Sequence, residues 1–262
     1  MLQTANLVKL SSEDKSPESR STSDFIVNYN NAPCMGNINK LVIKQIIVPN
    51  VFYNINSTGY NIENTGNNVL SIRNETTGIV STIIVPPGNY DAAKLQAYLN
   101  TVLPAGLTIA LNGITNKFQF ASTTDLYAYS EDSLGAYLGI KGTDFPFNGG
   151  GTLIYDLPNF LNLSGVKELF ISSSKMSDGS HLVISVGNTL PVFATVPINV
   201  GFGEYQTYIA PSEPLDEVIF PSNTAGSNLR SIDVRVLDSW GNILDLGGLN
   251  IIIIFKAYHL MN

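Results

Sequence analysis

The sequence predicts a mainly β protein, a β-sandwich interrupted by one small α/β insertion. Three observations point there. Short runs rich in Val, Ile, Phe and Tyr recur between Gly, Pro, Asn and Ser turns along most of the chain. The apolar period lengthens from two to three or four residues only in VPPGNYDAAKLQAYLNTVLP and in SEDSLGAYLGI. With 262 residues, 44% of them hydrophobic and 13% charged, the chain can bury a sizeable core, and one large sandwich or two small domains fit its length.

Residues 1–22 carry Ser11, Ser12, Ser16, Ser19 and Ser21 among mixed charges, with Pro17 and little apolar spacing after Leu10. They read as a flexible N-terminal arm, for which a frayed terminus and a tail ordering on a neighbouring subunit are the two accounts. From Asp24 onward Phe25, Val27 and Tyr29 alternate with Asp24, Ile26 and Asn28, the period of a half-buried strand. Leu41–Val48 is a longer Val- and Ile-rich strand closed by Pro49. Val69–Arg73 and Ile79–Val85 flank Asn74–Gly78 as a hairpin. These strands assign 23–85 to the sandwich.

The insertion is expected over 86–145, in the order helix, strand, strand, helix. Pro86, Pro87 and Gly88 stop the strand, Asn89 or Asp91 can cap a helix, and Leu95, Leu99 and Val102 share one of its faces before Pro104 ends it. LTIAL and KFQFA then flank Asn112-Gly113 as a hairpin, and Ser130 caps a second helix with Leu134, Tyr137 and Leu138 on one side. The sandwich resumes over 146–262. Lys167–Ser172, Leu182–Val186, Val192–Val196, Tyr205–Ile209 and Glu217–Phe220 are short strands. Ile232, Val234 and Val236 alternate with Ser231, Asp233 and Arg235, and Trp240 in the turn DSWGN is expected to cap one end of the sandwich. LNIIIIFKAY is apolar on both faces, as for a strand lying centrally or against another subunit.

Composition and motifs remove most chemistries. A net charge of −7 gives no cationic footprint for a phosphate backbone, so nucleic-acid binding by the folded body is not expected. The only cysteine, Cys34, cannot form an internal disulfide, which suits a reducing compartment. The N-terminus lacks the apolar core of a secretory signal, and Ile251–Phe255 is far too short to span a bilayer. The sequons at Asn56, Asn74 and Asn162 therefore read as chance. His181 and His259 stand in no metal-binding spacing, and Asp178, Ser180 and His181 are too close along one turn to form a catalytic triad. Gly149–Gly151 and Gly201-Phe202-Gly203 lack the Lys-Ser/Thr of a phosphate loop and read as turns. Glu131 with Asp132, and Asp216 with Glu217, are adjacent and point apart. No cofactor, metal or catalytic residue is expected. Tyr53, Tyr60, Phe145, Phe147, Tyr155, Phe160 and Phe202 fall in loop-like stretches, where packing at the core or a subunit edge competes with a sugar-stacking platform.

The run VPPGNYDAAKLQAYLN, the strand pair ending in KFQF, LGAYLGI, and the closing SIDVRVLDSWGNILDLGGLNIIIIFKAY together resemble capsid proteins of virophages and polinton-like viruses. The chain length resembles that group's penton, or vertex, protein, because the double jelly-roll major capsid protein needs about twice as many strands. The resemblance runs from about Asp24 to the C-terminus and implies a single jelly-roll whose subunits close the five-fold vertex as a homopentamer, with the N-terminal arm reaching towards the shell interior or neighbouring capsomers. It implies structural roles for Pro86, Pro87, Gly88 and Tyr90 at the entry to the insertion and for Asp238, Gly241 and Asp245 at the last hairpin. Ile140 departs from the family, which favours Phe after Leu-Gly.

The resemblance thus implies a non-enzymatic capsid protein of the virion, assembled in the host cytoplasm and binding itself and the major capsid protein. Low charge with ample Asn, Ser and Thr suits permanent subunit contacts, whose centres are depleted of charge. The alternative is a carbohydrate- or receptor-binding jelly-roll module of a virion, with the insertion contacting a host-surface receptor or glycan. A cupin-like or glycosidase enzyme on the same sandwich lacks the histidines or a carboxylate pair it needs.

Overall fold

The structure is a computed structural model that describes residues 3–29, 38–57, 66–74, 77–123, 126–128, 133–140, 145–147, 153–176, 182–185, 188–210, 217–219 and 230–260. The chain divides into two compact units, Met1–Phe52 with Val166–Asn262, and Tyr53–Gly165. In chain order the first unit supplies β1 (Gln3–Ser11), β2 (Asp24–Asn28) and β3 (Ile38–Pro49). The second supplies β4 (Val69–Asn74), β5 (Val80–Ile84), α1 (Ala92–Val102), β6 (Leu107–Leu111), β7 (Phe118–Ser122), β8 (Leu126–Ala128), α2 (Ser133–Leu138), β9 (Phe145–Phe147) and β10 (Leu153–Asp156). The first unit resumes with β11 (Glu168–Ser172), β12 (Leu182–Ser185), β13 (Asn188–Pro191), β14 (Ala194–Pro197), β15 (Tyr205–Ile209), β16 (Glu217–Ile219), β17 (Ser231–Leu237) and β18 (Ile252–Leu260).

The first unit is a sandwich of two antiparallel sheets, beside which β12 and β13 pair as a separate two-stranded antiparallel sheet. One runs β1–β18–β3–β15, with β16 pairing β3 beyond β15, and the other runs β14–β11–β17–β2. Period-two alternation assigns the faces. In β18, Ile253, Phe255 and Ala257 are buried, while Ile252, Ile254, Lys256 and Tyr258 are half-buried on the outer side. Opposite them Val8, Leu10, Leu41, Ile43 and Ile46 point inward, and the second sheet contributes Phe25, Val27, Leu169, Ile171, Ile232, Val234 and Val236. The Phe193 ring lies 6.2 Å from that of Phe255 at an interplanar angle of 41°. The register of β3 against β18 shifts between Ile254 and Phe255 and again between Tyr258 and His259, each shift leaving one extra β3 residue as a bulge.

The arm expected over 1–22 is replaced, in its first part, by β1, which pairs with β18 from Gln3–Leu260 to Ser11–Ile252. Val8 and Leu10 are the physical reason, since they fill the core beside Phe255 and Ile253. The serines that suggested mobility are held in place. Ser12 Oγ donates to Asn250 Oδ1 at 3.0 Å and accepts from the Ile251 N–H at 3.1 Å, and Ser16 N–H donates to the Ile26 carbonyl at 2.7 Å.

The second unit also begins earlier and ends later than the expected 86–145 insertion. Leu70 and Ile72 of β4, with Ile83 and Val85 of the β5 segment, were expected in the sandwich core. They instead share one apolar cluster with Leu95, Leu99, Phe118, Phe120, Leu134, Leu138 and Leu157. The helix, strand, strand, helix order is present, with β8, β9 and β10 added in the sheets β5–β4–β8–β9 and β10–β7–β6. Asp91, not Asn89, caps α1, its carboxylate accepting from Lys94 N–H at 2.7 Å. Leu95 and Leu99 are buried as expected, but Val102 in the last turn is exposed. Among the described residues no helix is long and apolar enough to cross a membrane.

Candidate functional site

The proline-glycine entry to α1 is built around one buried side chain that the sequence does not advertise. Gly88 forms a two-bond bridge with Ile55, its N–H donating to Ile55 O at 2.9 Å and its O accepting from Ile55 N–H at 3.1 Å. The next turn is held by Asn54, whose amide reaches both the N–H and the carbonyl of Tyr90 and also the Leu163 carbonyl. The Tyr90 hydroxyl donates back to the Pro86 carbonyl at 3.0 Å, while burial and the neighbouring Tyr98 push its pKa up. Pro86, Pro87, Gly88 and Tyr90 are therefore one local structure, with Asn54 at its centre.

The second motif is a tight turn between β17 and Ile243. The buried Asp238 carboxylate accepts from the N–H groups of Trp240 and Asn242, both at 2.8 Å, and from Asn242 Nδ2 at 3.0 Å. Gly241 follows with φ of 88°, the left-handed geometry that glycine adopts freely. Trp240 is half-buried beside it. Asp245 lies outside this network and accepts from Gly247 N–H at 2.8 Å in a turn of its own. Gly201–Gly203 is a turn as well, where Gly201 N–H donates to Glu204 Oε2 at 2.8 Å and Gly203 N–H to Asn50 O at 2.7 Å.

The two outer faces of the sandwich differ in chemistry. On the β14–β11–β17–β2 sheet, Asp24 sits between Arg20 at 3.6 Å and Arg235 at 3.9 Å. These three, with Glu18, Lys175 and Asp233, line an open cleft of about 420 Å³. Partial burial works to raise the Asp233 pKa. It is outweighed by hydrogen bonds from the Ser174 N–H at 2.8 Å and from the Ser173 hydroxyl at 3.1 Å, so the carboxyl titrates below its ordinary range. Charges of both signs meet inside this cleft.

The β1–β18–β3–β15 sheet presents aliphatic side chains and lysines. Leu7 is 72% exposed, Ile209 73% and Tyr205 51%, and Ile47, Ile252 and Ile254 continue the apolar surface between them. Lys9 stands opposite Ile254, Lys256 opposite Leu7 and Lys40 opposite Tyr258. The ammonium groups of Lys40 and Lys256 each lie 5.0 Å from the centroid of the Tyr258 ring. The apolar character of LNIIIIFKAY on both faces was the sequence signal for this surface, while its lysine row is visible only once the register of β1, β18 and β3 is known.

Other residues singled out by sequence fall apart in space or outside the described residues. His259 is mostly buried, with Nε2 3.3 Å from Asn6 Nδ2. Cys34, Tyr60, Ser130, Glu131, Asp132, Gly149–Gly151, Asp178, Ser180, His181 and Asp216 lie outside the described residues, as do the side chains of Phe145, Phe147 and Tyr155. Among the described residues no group of three or more His, Cys, Asp or Glu side chains gathers as metal ligands would. Phe160 is exposed with Lys117 Nζ 5.3 Å from its ring centroid, and no second ring joins it among the described residues to form a stacking platform.

No family model matches the chain, and no curated protein matches it by sequence. The solved structures do give a match. The mavirus penton protein resembles this chain over 98% of its length and 100% of its own, with a TM-score of 0.52 and 8% identity. The chain therefore has a virophage penton-like fold, a jelly-roll sandwich carrying an α/β unit.

Proposed function

We propose that this chain is a structural capsid protein that forms the pentameric five-fold vertex of a small icosahedral virus, binding itself and the major capsid protein without catalysing a reaction. The observation that carries the reading is the likeness to the mavirus penton protein across both units, from one end of each chain to the other. A likeness confined to the sandwich would fit any jelly-roll protein. The two sheets of the sandwich also present chemically distinct outer surfaces, as a ring subunit must for its two non-equivalent neighbours. On this reading Pro86, Pro87, Gly88, Tyr90, Asp238, Gly241 and Asp245 have structural roles, and the protein resides at the vertices of a virion assembled in the host cytoplasm.

The test is co-expression with the major capsid protein of the same virus. Particles are expected to incorporate the chain at a small fraction of the shell protein's copy number, with five-fold density at their vertices, and to lack that density when the chain is omitted. Particles whose vertices are complete without the chain overturn the reading.

A further inference from the structure

The cleft on the outer face of the β14–β11–β17–β2 sheet is balanced in charge but not in hydrogen bonds. Three cations, Arg20, Lys175 and Arg235, stand among three carboxylates, Glu18, Asp24 and Asp233. Two of the acids are already served. Asp233 accepts from the Ser173 hydroxyl and from the Ser174 and Lys175 N–H groups, and Glu18 accepts from Asn28 Nδ2 at 3.1 Å. Lys175 Nζ reaches the Ser231 hydroxyl. Asp24 and the two arginines are different, because their contacts, 3.6 Å to Arg20 and 3.9 Å to Arg235, are ion pairs longer than a hydrogen bond. Among the described residues neither guanidinium donates a hydrogen bond, and the Asp24 carboxylate, with its side chain 19% exposed, accepts none. Strand register fixes the arrangement, since Arg235 of β17 lies opposite Asp24 of β2, and Asp233 opposite Ile26, all four on the outer face.

We infer that this cleft binds a neutral pyranose, such as the terminal residue of a glycan. The charge balance selects the ligand class. An anion would face three carboxylates and a cation three cations, and the Coulomb pairing of the cleft is already met from within. What remains open is hydrogen bonding, to donors at Arg20 and Arg235 and to the acceptor at Asp24. Sugar hydroxyls carry no charge, and each can donate and accept. One hydroxyl of a vicinal pair donates to Asp24 while its neighbour accepts from a guanidinium, and both bonds are charge-assisted. Ile26, half-buried in the same cleft, offers an apolar surface to the C–H groups of the ring. A volume of about 420 Å³ is on the scale of small-ligand sites, and the open side leaves the rest of a glycan in solvent. The cleft belongs to the sandwich unit and not to the α/β insertion, where receptor contact was expected from sequence, and its role does not depend on the vertex reading.

The experiment uses the full chain and saturation-transfer NMR at millimolar ligand. The probes are the methyl glycosides of glucose, galactose, mannose and N-acetylglucosamine, with anionic N-acetylneuraminic acid and zwitterionic glycylglycine as charged comparisons. Asp24→Asn and Arg235→Gln remove the open acceptor and one open donor at nearly constant shape, while Lys256→Gln makes a similar change on the other sheet. Thermal melting checks folding. At least one neutral glycoside is expected to bind the parent in preference to both charged probes. Asp24→Asn and Arg235→Gln are expected to weaken that binding by roughly tenfold or more with unchanged melting, since each loses a hydrogen bond to a charged group. Lys256→Gln is expected to bind like the parent.

If no neutral glycoside binds the parent, the pyranose assignment is overturned. It is equally overturned if binding survives both cleft variants, because the sugar then sits elsewhere on the chain. Preferential binding of N-acetylneuraminic acid or glycylglycine that both cleft variants abolish would make the cleft a site for charged ligands and contradict the assignment. Should either cleft variant melt early, Arg20→Gln replaces it, and unchanged binding by that variant also counts against the assignment. Each of these outcomes leaves the vertex reading to its own test by co-expression.

Discussion

Asn54 brackets Tyr90 as a neighbouring strand would, its Nδ2 donating to the Tyr90 carbonyl at 2.7 Å while its Oδ1 accepts from the Tyr90 N–H at 2.9 Å. The same Nδ2 donates to the Leu163 carbonyl at 3.0 Å, and Gly165 passes with its would-be Cβ 3.4 Å from the Asn54 Cβ. One buried amide thus joins the first residues of the second unit, the start of α1 and the last residues before the chain leaves. Asn54→Ala removes three hydrogen bonds and strands their backbone partners, so it is expected to destabilise the unit by about 2–3 kcal/mol. Amide exchange over α1 checks this, and protection equal to that of the parent contradicts it.

The first strand gives a second prediction. Removing residues 1–11 takes Val8 and Leu10 out of the core and uncovers the edge of β18. Two buried aliphatic side chains contribute about 3–6 kcal/mol, and the freed edge is a template for aggregation. The truncated chain is expected to melt well below the parent and to precipitate at lower concentration. Identical melting would make β1 a dispensable arm.

Asp233 sets an acid limit on the sandwich. Its carboxyl pKa is depressed in the folded state by the Ser174 and Ser173 hydrogen bonds, which outweigh the opposing effect of partial burial. Its contribution is therefore present above the unfolded value of about 3.9 and is lost as pH falls through the lower folded value. Asp233→Asn is expected to lower the melting temperature at pH 7 and to narrow its gap from the parent as pH falls below about 4. A gap that stays constant with pH would show that charge on Asp233 does not matter.

The boundaries of the second unit are testable by expression. Residues 53–165 on their own are expected to fold, because one apolar cluster unites Leu70, Ile72, Ile83 and Val85 with Leu95, Leu99 and Phe120. Residues 86–145 leave the β4–β5 hairpin behind, uncover that cluster and are expected to be insoluble. Dispersed amide spectra for the shorter piece would restore the narrower insertion.

The strands and α1 were legible because each carries its own period and its own stops. The β4–β5 hairpin was read correctly as a hairpin and assigned to the wrong core, since alternation at Leu70, Ile72 and Ile83 says that one face is buried but not against what. The first strand was missed because two inward residues, Val8 and Leu10, were outweighed by the serines that follow, and the bonds tying Ser12 to Asn250 and Ile251 span the whole chain. The lysine row has the same character. Lys9, Lys40 and Lys256 are far apart in sequence and meet only through the pairing of β1 and β3 with β18.

The vertex reading requires this chain to assemble into closed rings of five. Its most direct measurement is the mass of the purified full-length protein by light scattering across a concentration series, with images of the same peak. A discrete species of five 28.3 kDa chains with a five-fold outline is expected. A species of any other fixed stoichiometry, or a monomer that persists when the major capsid protein is present, would contradict it.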